Sequence, residues 1–558
     1  MRRIAVIALD GGEFSLIDEM IKEGRMPTLE NIIREGTRGG MLSVIPPITP
    51  SAWSTFLTGK NPGKHGILEF IVKDREGESP ANARLRRGKT VFRLASDAGM
   101  KVVSLSIPLT YPPEQVNGLM ISDFMTPRGA KDYGLPIELL QKIERRFGPY
   151  RLHINEVYTP RRVEKFFADI EEEVSYKTDV AAWIAEGSLK ELEDWNLFAF
   201  HIHGVDRLQH ELWHLIDPAH PLYDFNESNK YKNRFLDFFS KLDTGINKFV
   251  QKLNPTTDML FIISDHGFGP VYKFINMNVW LMEKGYLKLR SRAVSRIKKL
   301  LFQWGATPKN AYRFLMLIGQ AKIRETVGMT KRVGFFNILN KVMLSFQDVD
   351  WTRTTAYSKG YYGQIFLNLK GREPFGIVPQ EEYEALRRRI GEEIIAIKDK
   401  ETGAQIIKSI FYPENIYSGP YLRNAPDIIF LPADMKYKAI GMTDFPSNNF
   451  LEPVYANSGD HRLEGIFIAK GEKIKKGYKL AGNAWLGDSA PTILYTLGLP
   501  IPTDMDGKVL VDIFYPDYLK NNPTRYVGSS EEDSFNSSGY TVKEKEQVIQ
   551  KLKDMGYL

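Results

Sequence analysis

Cysteine is absent from all 558 residues, which excludes disulfides and thiolate metal sites; any metal must rest on His, Asp, Glu and hydroxyl groups. No apolar run reaches about 18 residues, so no membrane-spanning helix is expected. The opening residues, RRIAVIALDGG, enter a strand pattern at once and leave no room for a secretion signal, so a cytoplasmic protein is expected. No internal repeat is visible. Neither sign of charge dominates: the net charge of +7 suits anionic substrates or surfaces without demanding either. What is present, 43% hydrophobic and 26% charged residues, has the balance of a soluble globular protein. The length exceeds one ordinary core, which implies one large α/β domain with insertions or two domains.

Short apolar runs alternate with helical patterns. Strands are expected at Arg3 to Leu9, Val102 to Ile107, Leu197 to Ile202, Met259 to Ile263 and Gly465 to Ala469, with helices at Glu13 to Lys22, Pro27 to Glu35, Ser175 to Asp194 and Asn233 to Leu253. This alternation predicts an α/β fold: a mostly parallel central sheet flanked by helices on both faces. Ligands in such sheets bind beyond the carboxyl ends of the strands. Three of the expected strands run there into Asp or Asp plus His: Asp10-Gly11-Gly12, His203-Gly204-Val205-Asp206 and Ser264-Asp265-His266-Gly267.

The stretch from Val44 to Ile67, VIPPITPSAWSTFLTGKNPGKHGI, centres on Thr49. Thr49, Pro50, the apolar segment to Thr58 and then Gly59 read as N-cap, N1 and C′ of a short helix. A cap alone would explain Thr49. As a hydroxyl at the positive end of a helix, where an anion is favoured, it is also a candidate nucleophile if metal ligands lie nearby.

Candidate ligands are Asp10, Asp206, His210, Asp265, His266 and His461. Asp206 and His210 are four residues apart, on one side of a helical turn; Asp265 and His266 adjoin at a strand end. Three carboxylates and three imidazoles divide into two sites that suit Zn²⁺, with Mn²⁺ the other candidate. Two divalent ions about 4 Å apart can clamp a phosphoryl displacement and activate the Thr49 hydroxyl. His201 and His203 read as supporting residues, and Asp460 as a carboxylate that orients the His461 ring.

From Lys284 to Arg332 the texture changes to thirteen Lys or Arg against one Glu, with apolar residues at helical spacing. This is a basic helical insertion or lid, or a surface for peripheral contact with anionic membrane. Nothing in it stacks aromatics in a nucleic-acid register, so no nucleic-acid partner is expected. The expected division is a catalytic core at 1–283 and 346–526, the insertion at 284–345, and a polar linker with a final helix at 527–558.

The ordered set ALDGG, ITPSAWSTFLTGKNPGKHGI, HGVDRLQH, SDHGF and SGDHRLEGIFIAKG resembles the type I phosphodiesterase/nucleotide pyrophosphatase branch of the alkaline phosphatase superfamily, closest to its phosphohydrolase/phosphomutase members. The resemblance implies that Asp10, Thr49, Asp265 and His266 hold one metal and Asp206, His210 and His461 the other. It also implies that Thr49 attacks phosphorus and that water hydrolyses the resulting phosphothreonine. One departure stands out. Nucleotide pyrophosphatases carry, just after the HGI segment, an Asn that hydrogen-bonds the phosphoryl oxygen; the equivalent here is Phe70. The clamp then falls to N–H groups at the start of the Thr49 helix or to Lys60, Lys64 or Lys73.

The expected function is a two-metal phosphohydrolase cleaving a phosphodiester or related ester of a small phosphorylated substrate. The rival is a phosphomonoesterase or phosphomutase, which needs cations to hold a dianion. A non-catalytic module docking on membranes through the basic insertion is the third reading.

Overall fold

Six buried residues in a row after Arg3 make β1 (Arg3–Leu9) the middle of the molecule, and its side chains alternate between two apolar layers. Ala5, Ile7 and Leu9 face one layer, Ile4, Val6 and Ala8 the other. In the computed structural model, which describes residues 3–74, 77–311, 343–441, 445–455, 457–529, 539–555 and 557, β1 is flanked by parallel strands on both sides. The sheet further comprises β2 (Thr37–Leu42), β3 (Val102–Leu105), β4 (Gly118–Ile121), β5 (Leu197–Ile202), β6 (Asp258–Ile263) and, later in the chain, Glu464–Lys470. From one edge the order is Tyr478–Lys479, β2, Glu464–Lys470, β6, β1, β5, β3, β4 and Gly134–Leu135. The pairs from β6 to β4 are all parallel, whereas Glu464–Lys470 runs antiparallel to both of its neighbours. The sheet is therefore mostly parallel, with an antiparallel strand inserted near one edge.

Helices cover both faces. On the Ile7 side lie two long ones, Val163–Ala185 and Phe225–Val250, packed on each other. On the Ile4 side lie α1 (Thr49–Thr58), Ser489–Leu497 and a helix at Val542–Asp554 whose Val548 and Leu552 are fully buried. The helix expected at 175–194 begins twelve residues earlier and ends nine earlier. Its first half reads as charged, but Glu171 and Glu173 are buried against partners, and a turn after Ala185 leads into β5.

Residues between Ile275 and Leu451 gather round a separate apolar cluster, built from two four-stranded sheets and the helix Gln380–Ile395. Of the basic stretch, residues 284–311 are described and 312–342 lie outside the described residues. The described part carries a helix, Ala293–Gln303, anchored to this cluster by Phe302 and to Asp348 by Lys298 at 3.0 Å. Among the described residues no helix is long and apolar enough to cross a membrane.

Candidate metal centre

The carboxyl ends of β1, β5 and β6 converge as a parallel sheet requires. Asp10 follows β1 directly, and its neighbour Gly11, at φ +69°, turns the chain back toward the next helix. Asp265 and His266 follow β6. Asp206 lies in the first turn of the helix Gly204–Leu212, which starts just after β5, and His210 lies one turn further on. His461 arrives from elsewhere: it sits on Gly459–Arg462, a strand paired antiparallel with Gly267–Pro270, opposite Phe268. All six side chains are buried to 1% exposure or less.

The three imidazoles are fixed in the same way. His210, His266 and His461 each direct Nδ1 at a backbone carbonyl, of Gly459 at 2.9 Å, Gly267 at 3.0 Å and Pro47 at 2.7 Å. An Nδ1–H spent on a carbonyl leaves Nε2 with its lone pair exposed. The Nε2 atoms of His210 and His461 lie 3.0 Å apart and 3.2 and 3.3 Å from Asp206 Oδ1. His266 Nε2 lies 3.4 Å from Asp10 Oδ1 and 3.3 Å from Asp265 Oδ2. These contacts give two sets, Asp206 with His210 and His461, and Asp10 with Asp265 and His266, which adjoin where the His266 and His461 rings stack at 3.5 Å and where Asp206, His266 and His461 also lie close enough to share an ion.

Lone pairs facing carboxylate oxygens in a dry interior repel unless a proton or a metal cation lies among them. The hydrogen-bond inventory agrees. Asp10 Oδ1, Asp206 Oδ1, Asp265 Oδ2, His266 Nε2 and Thr49 Oγ1 are all buried and none has a hydrogen-bond partner. Buried polar atoms are normally satisfied, so this concentration at one end of the sheet fits a metal centre. Charge crowding adds to it. Burial and the Asp10 charge push the Asp265 carboxyl well above its usual range. Burial opposes charge on Asp206 too, but His210 and the other imidazoles hold its carboxyl well below that range.

Thr49 sits at the start of α1, though not as the expected cap. Ile48 takes the cap position, accepting from Ala52 N at 2.9 Å, and Thr49 is the first helical residue. The hydroxyl is thus not spent on capping and stays without a partner. Gly59 closes the helix at φ +66°, as expected. The bond from His461 Nδ1 to Pro47 O ties the Thr49 loop to the ligand set.

Of the remaining residues, Asp460 borders the cluster, 4.0 Å from His210 Nδ1 and close enough to His210 and His461 to share an ion with them, whereas the lysines are engaged elsewhere. Lys60 pairs with Asp504 at 2.5 Å and Lys64 with Asp506 at 2.5 Å, while Lys73 is exposed, 3.9 Å from Glu373. Asp460 does not orient the His461 ring, because that ring's Nδ1 is taken by Pro47. Asp460 instead accepts from Tyr362 Oη at 2.7 Å and pairs with Lys438 at 3.0 Å. His201 donates to Asp10 Oδ2 at 3.0 Å, a supporting position.

Three supports were not legible in the sequence. Glu173 accepts from the N–H groups of His203 and Gly204, at 3.3 and 3.2 Å, and so anchors the start of the helix carrying Asp206 and His210. In sequence it belongs to an EEE run that reads as a solvated face. Gln209 donates to Gly11 O at 2.7 Å, linking that helix to the Asp10 turn. Ser264 accepts from Gly12 N at 2.7 Å and donates to His266 O at 2.5 Å, bracing both strand ends; its place beside Asp265 was the only signal.

Residues 4–444 match the model of the type I phosphodiesterase/nucleotide pyrophosphatase family. Asp10, Thr49, Asp206, His210, Asp265 and His266 lie inside that span. His461 lies beyond it and is placed with the others by geometry. A search of curated proteins returned no match.

Proposed function

Because this chain belongs to the type I phosphodiesterase/nucleotide pyrophosphatase family, an enzyme family that hydrolyses phosphoric esters, we propose that it cleaves a phosphodiester through a phosphothreonine on Thr49. The observation that carries the reading is the set of buried, partnerless carboxylate and imidazole atoms, together with an equally partnerless Thr49 hydroxyl whose loop His461 ties to them. Two divalent ions, one per ligand set, would lower the pKa of a bound hydroxyl and offset charge on the phosphoryl oxygens; Asp and His ligands suit Zn²⁺, with Mn²⁺ the alternative. Thr49 Oγ loses its proton, forms a bond to phosphorus, and the ester alcohol leaves. Water then attacks the phosphothreonine and restores the hydroxyl. The N–H groups at the start of α1, unpaired within the helix, would favour a bound anion.

The neutralised lysines favour a diester over a monoester. A phosphomonoesterase or mutase has to hold a dianion, yet Lys60 and Lys64 are committed to Asp504 and Asp506, and Lys438 to Asp460. Metal analysis of the purified protein, with hydrolysis of bis-p-nitrophenyl phosphate and p-nitrophenyl phosphate, tests both points. About two ions per chain and faster turnover of the diester are expected. Preference for the monoester would overturn the substrate class, and protein that retains no metal would overturn the mechanism.

A specific feature favours a second property, peripheral contact with anionic membrane. On Ala293–Gln303 and the residue after it, Val294, Ile297, Leu300 and Trp304 are exposed, Trp304 to 83%, with exposed Arg292, Arg296 and Lys299 among them. Apolar residues bordered by cations match the requirements of an interfacial helix. Co-sedimentation with vesicles containing anionic lipid should fall when Ile297 and Trp304 are changed to Ser. Equal binding by the variant would dispose of the idea.

A further inference from the structure

The phenol of Tyr557 lies inside the metal centre. This residue follows the helix Val542–Asp554, is 4% exposed, and lies outside the span that matches the family model. Its hydroxyl donates to Asp206 Oδ2, the oxygen that His210 and His461 do not face, and its own oxygen accepts from His203 Nε2 at 2.9 Å. Asp206 is thereby divided between two tasks: Oδ2 is saturated by Tyr557, while Oδ1 is left without a partner, toward the two imidazoles.

The ring is held on its own account. Phe70 stacks on it with centroids 5.0 Å apart and planes 14° from parallel. Arg207, on the helix that carries Asp206 and His210, donates to Met555 O at 2.5 Å, and Lys551 donates to Phe124 O, so the segment is tied at two points to the surroundings of the site. Phe70 is the residue at which this chain departs from the Asn of nucleotide pyrophosphatases. A flat apolar ring there supplies the platform that a phenol needs, whereas an amide would not. Phe70 and Tyr557 are in direct contact and form one device.

We infer that Tyr557 is a positioning residue of the metal centre, fixing the Asp206 carboxylate so that Oδ1 faces the ion shared with His210 and His461. Partners that hold a ligand in place typically contribute roughly 10–100-fold to metal affinity, and here the phenol engages only the oxygen turned away from the two imidazoles while Oδ1 keeps no partner. The inference rests on the two-metal reading of the site.

The test is Zn²⁺ titration of metal-stripped full-length protein by calorimetry, comparing the parent chain with Tyr557→Phe and Phe70→Leu, and recording the melting temperature of each metal-free form. Tyr557→Phe keeps the ring and its stack but leaves Asp206 Oδ2 and His203 Nε2 without this partner, so the metal-free melting temperature should fall modestly and the site-specific change in Zn²⁺ affinity is the deciding readout. Affinity at one of the two sites should fall roughly 10–100-fold with the other intact, and Phe70→Leu should weaken the same site less. Parent protein that binds no Zn²⁺ would overturn the two-metal reading itself. Parent protein that binds two ions, with both variants within twofold of it at both sites, would overturn the role of Tyr557 alone. A loss spread equally over both sites would also overturn it.

Discussion

Two sets of buried carboxylates in this molecule look alike by exposure and differ in every other respect. In the smaller lobe Asp427 is 2% exposed, and both its oxygens are saturated: Arg372 reaches them in a fork at 2.7 and 2.7 Å, Tyr383 Oη at 2.5 Å and Leu367 N at 2.6 Å. At the end of the main sheet Asp10, Asp206 and Asp265 are all fully buried, yet each keeps one oxygen without a partner. Burial therefore does not mark the site. Asp427 is a structural pair whose charge is answered within the protein, whereas the other three leave charge for something else to answer.

The largest effect should come from removing the partnerless Thr49 hydroxyl, whose loop is tied to the ligand His461. Thr49→Ala should lower turnover of bis-p-nitrophenyl phosphate by roughly 10³-fold or more, while the retained metal measured by atomic emission stays at the parental level. Loss of metal together with turnover would instead make Thr49 chiefly a ligand.

The next two predictions set the carboxylates against each other. Asp427→Ala should destabilise the protein by about 1–3 kcal/mol, since it strands the part-buried Arg372 guanidinium along with Tyr383 Oη and Leu367 N, and denaturant unfolding should show this with Zn²⁺ content unchanged. Asp265→Asn should do the reverse. It removes a charge crowded by Asp10 and Asp206, so the metal-free variant should melt no lower than the metal-free parent, while metal retention is lost. If Asp265→Asn destabilises the stripped protein as much as Asp427→Ala does, the distinction between answered and unanswered carboxylates fails.

The contrast also explains what sequence could and could not reveal. Asp10, Asp206, Asp265 and His266 were legible because each follows an apolar run, and a parallel sheet delivers such ends to one place. His461 was legible only as part of a motif, since it comes from an antiparallel strand pair that brings it across from a different part of the chain. The Thr49 helix was found within one residue, but its cap was misassigned: a Thr-Pro pair fits N-cap–N1 as well as N1–N2, and only backbone geometry decides. The strand Thr37–Leu42 carries two glycines and little apolar signal, and its identity depends on pairing with Glu464–Lys470 some 400 residues on, which no local pattern contains. Lys60 and Lys64 looked available for phosphate because Asp504 and Asp506 are as remote in sequence.

The smallest expected effect extends the comparison from carboxylates to imidazoles. His65, in the KHGI segment, is buried like the ligands, but both its nitrogens are occupied, Nε2 with Thr55 Oγ1 at 3.0 Å and Nδ1 accepting from Ile67 N at 3.2 Å. Burial, with Arg86 and Lys60 nearby, depresses its pKa to about 3. A histidine kept neutral in the folded state binds fewer protons there than in the unfolded chain. Its contribution is therefore complete above the ordinary value near 6.5 and is lost as pH falls from there toward 3. Thermal melts of metal-free protein between pH 7 and 4 should show a decline that is shallower in His65→Gln. An identical decline in the variant would mean that the acid sensitivity originates elsewhere, and that an imidazole with both nitrogens satisfied is as silent toward pH as Asp427 is toward metal.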